Sequence, residues 1–269
     1  MSKFPLQRYA PKPPHGDKPK GRVRIITHNG VEYPMPSVTT ILDATLAKPE
    51  LVDWRVNTAC EDVILQSRSL YEASGPEKMS GEAWESSLRR RIGDQWKDKR
   101  IAAKAANIGT SAHSMIQRHL KAEMGIPLDP LEGEPNDQSF AAFESWLRWR
   151  TSLADFRPVK VETVTYSVDH MYSGQYDCLA MHNGRLTMFD WKTSKGLYLS
   201  FKIQMAAYCL AERERGTDGI ARAVCVRVPK DGSDIGEKDI QELHSLAIDG
   251  FSKDFVMLRQ LYKMMQDEH

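Results

Sequence analysis

The chain has 269 residues, of which 41% are hydrophobic and 27% charged, with a formal net charge of +1; this is an ordinary soluble composition, long enough for one large core or two small ones. A charge so near zero excludes a global field that would hold polyanions, so any affinity for nucleic acid must come from local patches. No apolar run approaches the roughly 18 residues of a membrane span, and the N-terminus lacks the apolar segment of a secretory signal.

In chain order, residues 1–20 carry Pro5, Pro11, Pro13 and Pro14 among basic residues and read as a flexible arm. Arg22 to Met35 reads as a β-hairpin turning at Asn29-Gly30. Ser37 is placed to cap a helix running to Leu46, and Pro49 to open another that carries Trp54. A long helical stretch is expected from Ser80 to Ala106, a second from Asn107 or Gly109 to Met124, and a third from Asp137 to Leu153. Pro158 then opens a strand-rich part with strands at 159–168, 174–182 and 185–191. A helix at 200–214, a strand at 220–228 and a long helix at 238–265 complete the chain. No internal repeat is visible. The order predicts an α/β (α+β) fold, a mixed central sheet flanked by helices. The expected divisions are an arm over 1–20, a mainly helical region over 21–156, and a core over 157–269 integrated with 107–124. Cys60, Cys178, Cys209 and Cys225 lack CxxC spacing, which predicts free thiols in a reduced, cytoplasmic setting and no zinc or iron–sulfur site.

The segment Gly174 to Lys192 carries the chemistry. It reads as two strands joined at Asn183-Gly184, the strongest short signal for a two-residue hairpin turn. That register sets His182 against Arg185 and, counting back, Asp177 against Asp190. Facing like charges are destabilising, so a fold keeps them where something positive sits between. Lys192, two residues past Asp190, points to the same face. Two carboxylates and an ammonium converging on a sheet face suit magnesium or manganese and the metal-assisted cleavage of a phosphodiester. Lys192 is then placed to position an attacking water or to stabilise phosphoryl charge.

Other candidates keep two readings each. Thr193 and Ser194 donate to a phosphate or begin a turn. His113, early in a helix and one turn after Gly109, is a ligand or a satisfied surface residue; His119 falls on a different face, so no two-histidine zinc arrangement is offered. Glu162 completes the acidic cluster or pairs with a base. Gln204 and Tyr208 share a helix face and serve the site or the core. Arg89 to Lys104 holds seven basic residues against Asp94 and Asp98. Arg89, Arg90, Lys97, Arg100 and Lys104 track a phosphate backbone or form a solvated helix face. Trp84, Trp96, Trp146 and Trp149 serve the core or stack on unpaired bases.

Gly109-x-x-x-His113, Glu162, Gly174-x-x-Asp177, Asp190-x-Lys192 and Gln204-x-x-x-Tyr208 occur in the order and spacing of the RecB-type branch of the PD-(D/E)xK nucleases, which the chain resembles. Pro36-Ser37-Val38-Thr39, Asp177-Cys178, Asp190-Trp191-Lys192-Thr193-Ser194 and Ala207-Tyr208 bring the resemblance closer to the mitochondrial genome maintenance exonuclease and its phage and bacterial relatives, over residues 36–265. The resemblance implies a restriction-endonuclease-like core and a metal-dependent DNA exonuclease in phage or prokaryotic recombination, repair or replication. It implies Mg²⁺ or Mn²⁺ on His113, Asp177, Asp190 and the Trp191 carbonyl, with Lys192 as the catalytic lysine and Gln204 and Tyr208 organising the site. DNA ends or single strands are the implied partners, together with a single-strand-binding or annealing protein. Tyr176 stands where the literal motif has proline, and the cysteines that hold an iron–sulfur cluster in some relatives are missing. A lambda-exonuclease-like enzyme degrading duplex ends and a catalytically silent DNA-binding protein are the competing expectations.

Overall fold

A computed structural model describes residues 22–47, 49–74, 80–92 and 97–267; the arm expected over 1–20 lies outside them, as does Trp96. The chain divides into two compact units, Met1–Leu46 with Ser111–His269, and Ala47–Thr110.

In chain order the elements are β1 (Val23–His28), β2 (Val31–Pro36), α1 (Val38–Thr45), α2 (Pro49–Ser74), α3 (Gly81–Ile92), α4 (Lys97–Glu123) and α5 (Asp137–Ser152). There follow β3 (Arg157–Ser167), β4 (Tyr172–His182), β5 (Arg185–Lys192), α6 (Leu199–Glu214), β6 (Ile220–Arg227), β7 (Ile240–His244) and α7 (Ser245–Asp267). Both expected hairpin turns form, with Asn29 and Asn183 at φ of 51° and 50° and their glycines at 75° and 68°, the left-handed pair that such turns demand. Ser37 caps α1, its side chain accepting from Thr40 N–H.

Two boundaries differ from expectation. Helix α4 runs unbroken through Asn107 and Gly109, because one interior glycine, at about 1 kcal/mol, does not outweigh a long helix. Of the helical stretch expected over 80–106, residues 81–92 lie in α3 and 97–106 in α4, and 93–96 lie outside the described residues. Strand β7 stands where a helix is expected: Ile240 and Leu243, three apart, fit helical spacing, but the segment pairs antiparallel with the free edge of β6.

The main sheet has the order β3-β4-β5-β6-β7; β5 and β6 are parallel and the other neighbours antiparallel, the mixed sheet expected. One face packs Tyr172, Tyr176, Leu179 and Met188 against α1, α6 and α7. The other packs Cys178, Ala180, Phe189 and Trp191 against Ala112, Ile116 and Leu120 of α4 and Trp146 of α5. The β1–β2 hairpin is a separate two-stranded sheet joined to β4 by the Ser37–Ser173 bridge.

Two strands change faces at the same rung. In β4, Tyr172 and Tyr176 face α6, whereas Cys178 and Ala180, of the same parity, face α5. In β3, Lys160 reaches Glu212 of α6 at 2.7 Å and Val161 packs on the α5 side, yet Thr163 sits opposite Tyr176 on the α6 side. Each alternation therefore inverts between these positions, at Asp177 in β4 and at Glu162 in β3. Glu162 makes the reversal with a φ of 47°, a left-handed conformation costing about 1–3 kcal/mol in a non-glycine residue.

The second unit is helical. Its basic residues meet acids of the same unit: Arg55 with Asp98 at 3.3 Å, Lys97 with Glu61 at 3.7 Å and Arg100 with the buried Asp62 at 3.5 Å. Among the described residues no helix is long and apolar enough to cross a membrane.

Candidate metal centre and active site

The hairpin register holds as counted, His182 opposite Arg185 through to Cys178 opposite Phe189. One rung further, at Asp177 and Asp190, the ladder stops. There Asp177 Oδ2 accepts the Trp191 N–H at 2.6 Å, so a carboxylate occupies the place of a backbone carbonyl and the strands part. Asp177 Oδ1 lies 3.3 Å from His113 Nδ1. The face inversion thus lets β4 present one carboxylate to α4 on one side and to β5 on the other.

Glu162 stands opposite Asp177, at the rung missing from the β3–β4 ladder. His113, Glu162 and Asp177 bring one ligand atom each within 4.8 Å of one another, the group among the described residues with the makings of a cation site. Asp190, expected as a ligand, is not of that group. It lies on the α6 side of β5, 2% exposed, and its Oδ2 meets Lys192 Nζ at 2.6 Å. That oxygen has no further hydrogen-bond partner among the described residues.

Electrostatics follow from this packing. Burial and the Asp177 charge push the Glu162 carboxyl up to about 8. Burial works against a charged His113, but the Asp177 carboxylate outweighs it and raises the imidazole to about 9. Asp177 is held below its ordinary value: burial opposes its charge, and His113, Lys192 and the Trp191 N–H more than compensate. Asp190 is raised by burial and by Asp177, against the pull of Lys192. Lys192 is held well above its ordinary value although burial opposes it, because Asp190, Tyr208 and Asp177 surround it; its ammonium stays charged at neutral pH. A buried set of two neighbouring acids with a third beside them and one imidazole is a donor set that a hard divalent cation satisfies.

Helix α6 closes the site. Gln204 Nε2 donates to Tyr208 Oη at 2.6 Å, and burial raises the Tyr208 hydroxyl to about 12. A Cβ on Gly174 would stand 2.3 Å from Tyr208 Cε1, so glycine is needed for the ring to lie across β4. The Phe201 ring lies 5.0 Å from Lys192 Nζ, a cation–π contact.

Ser194 Oγ donates to the Gly196 carbonyl at 2.7 Å, the turn reading of that residue; Thr193 follows the strand, partly exposed. Arg89, Arg90, Lys97, Arg100 and Lys104 lie in the second unit, where Arg89 is engaged by Glu85 at 2.6 Å and Arg90 and Lys104 are exposed. His119 pairs with Glu123 at 3.1 Å, away from the site. Trp146 is buried and edge-on to Trp191, and Trp149 packs edge-on to the same ring, the core reading for both; Trp84 is partly buried in the second unit. Sequence reasoning missed Phe201, which shares a face with Gln204, and Gln175, which lies inside the Gly174-x-x-Asp177 motif. It also missed Arg24, for which no sequence signal exists.

Residues 131–269, the C-terminal half of the chain, match the PD-(D/E)XK nuclease superfamily. The chain belongs to that superfamily. Its membership makes the chain a phosphodiester-hydrolysing nuclease of a family that works with divalent metal. Glu162, Asp177, Asp190, Lys192, Gln204 and Tyr208 fall within the matched span, and His113 precedes it. Among solved structures the chain is similar to that of SSO0001, 17% identical over 57% of this chain and 74% of that one, with a TM-score of 0.26, a likeness too slight to argue from. No curated protein matches.

Proposed function

We propose that this nuclease is a Mg²⁺- or Mn²⁺-dependent DNA exonuclease acting on ends or single strands in phage or prokaryotic recombination, repair or replication, in the cytoplasm. The observation that carries the metal-dependent chemistry is the convergence of His113, Glu162 and Asp177 within 4.8 Å beside the Asp190–Lys192 pair at 2.6 Å. The RecB-type motif order supports the exonuclease reading. His113, Glu162 and Asp177 would hold the cation, with Asp190 and the Trp191 carbonyl as the further ligands that the motif order implies. A cation there supplies positive charge for the phosphoryl oxygens and makes a neighbouring water more acidic. Lys192, kept protonated by its acidic neighbours, donates to the phosphate or orients the attacking water. Asp190 fixes the ammonium, and Gln204 with Tyr208 holds the α6 wall against β4.

The test is digestion of end-labelled linear and circular DNA, single- and double-stranded, with Mg²⁺ or Mn²⁺, beside Asp190→Ala and Lys192→Ala. Cleavage of linear substrates that needs metal and that both substitutions abolish is the expected result. Equal cutting of closed circles would sink the requirement for ends. DNA binding without cleavage in either metal would make the chain a silent binding protein, and a ring-forming enzyme restricted to duplex ends would favour the lambda-exonuclease-like alternative.

A further inference from the structure

We propose that Arg24 and Gln175 form a positioning relay that aims Glu162 at the cation, an inference that rests on the metal-site reading above. Arg24 Nη2 donates to Gln175 Oε1 at 2.7 Å, and Gln175 Nε2 donates to Glu162 Oε2 at 2.7 Å. The two contacts explain one another. A guanidinium is a donor only, so the amide atom facing Arg24 has to be the oxygen. The amide NH₂ then faces the carboxylate, and the orientation that is ordinarily ambiguous in a glutamine is fixed by its partner. Without Arg24 the amide is free to turn over and set its oxygen against Glu162, which repels the carboxylate.

Glu162 needs such support. Its backbone is left-handed at a φ of 47°, and it occupies the rung where β3 and β4 are not paired, so the ladder does not hold it. Gln175 engages Oε2 of the carboxylate that is grouped with His113 and Asp177. Arg24 comes from β1, 151 positions before Gln175. The hairpin that carries it is anchored to the sheet at both ends: His28 Nδ1 lies 3.2 Å from Tyr166 Oη, and Ser37 bridges to Ser173. Through the relay this small hairpin delivers one guanidinium to the back of the site.

The experiment is calorimetric titration of Mn²⁺ into the metal-stripped full chain, with thermal melting of each variant. The set is wild type, Arg24→Met, Gln175→Met, the double variant, Gln175→Asn (which stays polar but is too short to span both partners) and Asp177→Asn as control. Loss of a partner that orients a ligand typically weakens metal binding about 10–100-fold, and that loss is expected for Gln175→Met and Gln175→Asn. Arg24→Met is expected to weaken binding in the same direction, and the double variant to be no weaker than Gln175→Met alone, because Arg24 acts through Gln175. Saturating Mn²⁺ should restore cleavage, separating the metal requirement from the chemical step. The relay is overturned if the folded single variants bind Mn²⁺ like wild type, or if their losses add in full. Wild type that binds no Mn²⁺ overturns the metal-site reading as well. Wild-type binding that Asp177→Asn abolishes and Arg24→Met leaves intact overturns the relay alone.

Discussion

Gly174 is a glycine because the Tyr208 ring occupies the space a side chain would need, 2.3 Å from a Cβ at that position. Gly174→Ala therefore has to displace α6 or bend β4. A destabilisation of about 1–3 kcal/mol is expected from such overpacking, with cleavage lost more steeply than stability, as thermal melting and an activity assay on the same preparation will show. Lys192 is the second residue whose removal has a calculable sign. Lys192→Met strands the 2%-exposed Asp190 carboxylate without its ammonium, and breaking a buried pair from one side costs about 3–5 kcal/mol. Asp190 already titrates above its ordinary value, so the stability linked to its protonated form is present at low pH and lost as pH rises. The deficit of Lys192→Met relative to wild type is thus expected to shrink on acidification, and denaturant melts over a pH series check it.

At the scale of elements, the inversion of β3 and β4 is what builds the site, and it has a cost. Glu162→Gly relieves a left-handed residue and removes a carboxylate facing Asp177. The variant is expected to melt higher than wild type in EDTA, by about 1 kcal/mol or more, and to bind Mn²⁺ more weakly. A lower melting temperature in EDTA would show that the conformation at 162 carries no strain. This element also marks the limit of what the sequence could convey. The Asn-Gly turns and the Ser37 cap were legible because each is local chemistry, and the β4–β5 register followed from one turn. The acids and the lysine followed from that register. The inversion was not legible: nothing in the residue type of Glu162 announces a positive φ. The nearness of Glu162 to Asp177 and His113 was hidden for the same reason. β7 was hidden because a one-turn apolar spacing and a short edge strand look alike until β6 offers an edge.

For the molecule as a whole, the acids that would take a cation make its stability depend on pH and metal together. Glu162 and His113 have folded values of about 8 and about 9 against ordinary values of 4.5 and 6.5. In the metal-free protein their contribution is full below the ordinary values and is lost as pH rises through the folded ones. A cation needs both groups deprotonated. The rise in melting temperature on adding Mn²⁺ is therefore expected to be small near pH 6 and to grow through pH 8 to 9. A shift that is constant across that range would mean the ion binds elsewhere.

The groups of the site come from α4, β3, β4, β5 and α6, and the strand that bears Asp190 and Lys192 is central, paired in parallel with β6 through the α6 crossover. No hairpin or fragment holds a working set. A chain emerging from the ribosome thus carries its acids harmlessly until non-local pairing is complete, a slow step for such topology, and cleavage of DNA begins only with the native fold. Refolding followed by fluorescence and by nuclease activity together should show activity appearing in the last phase, with no cutting by partly folded chains.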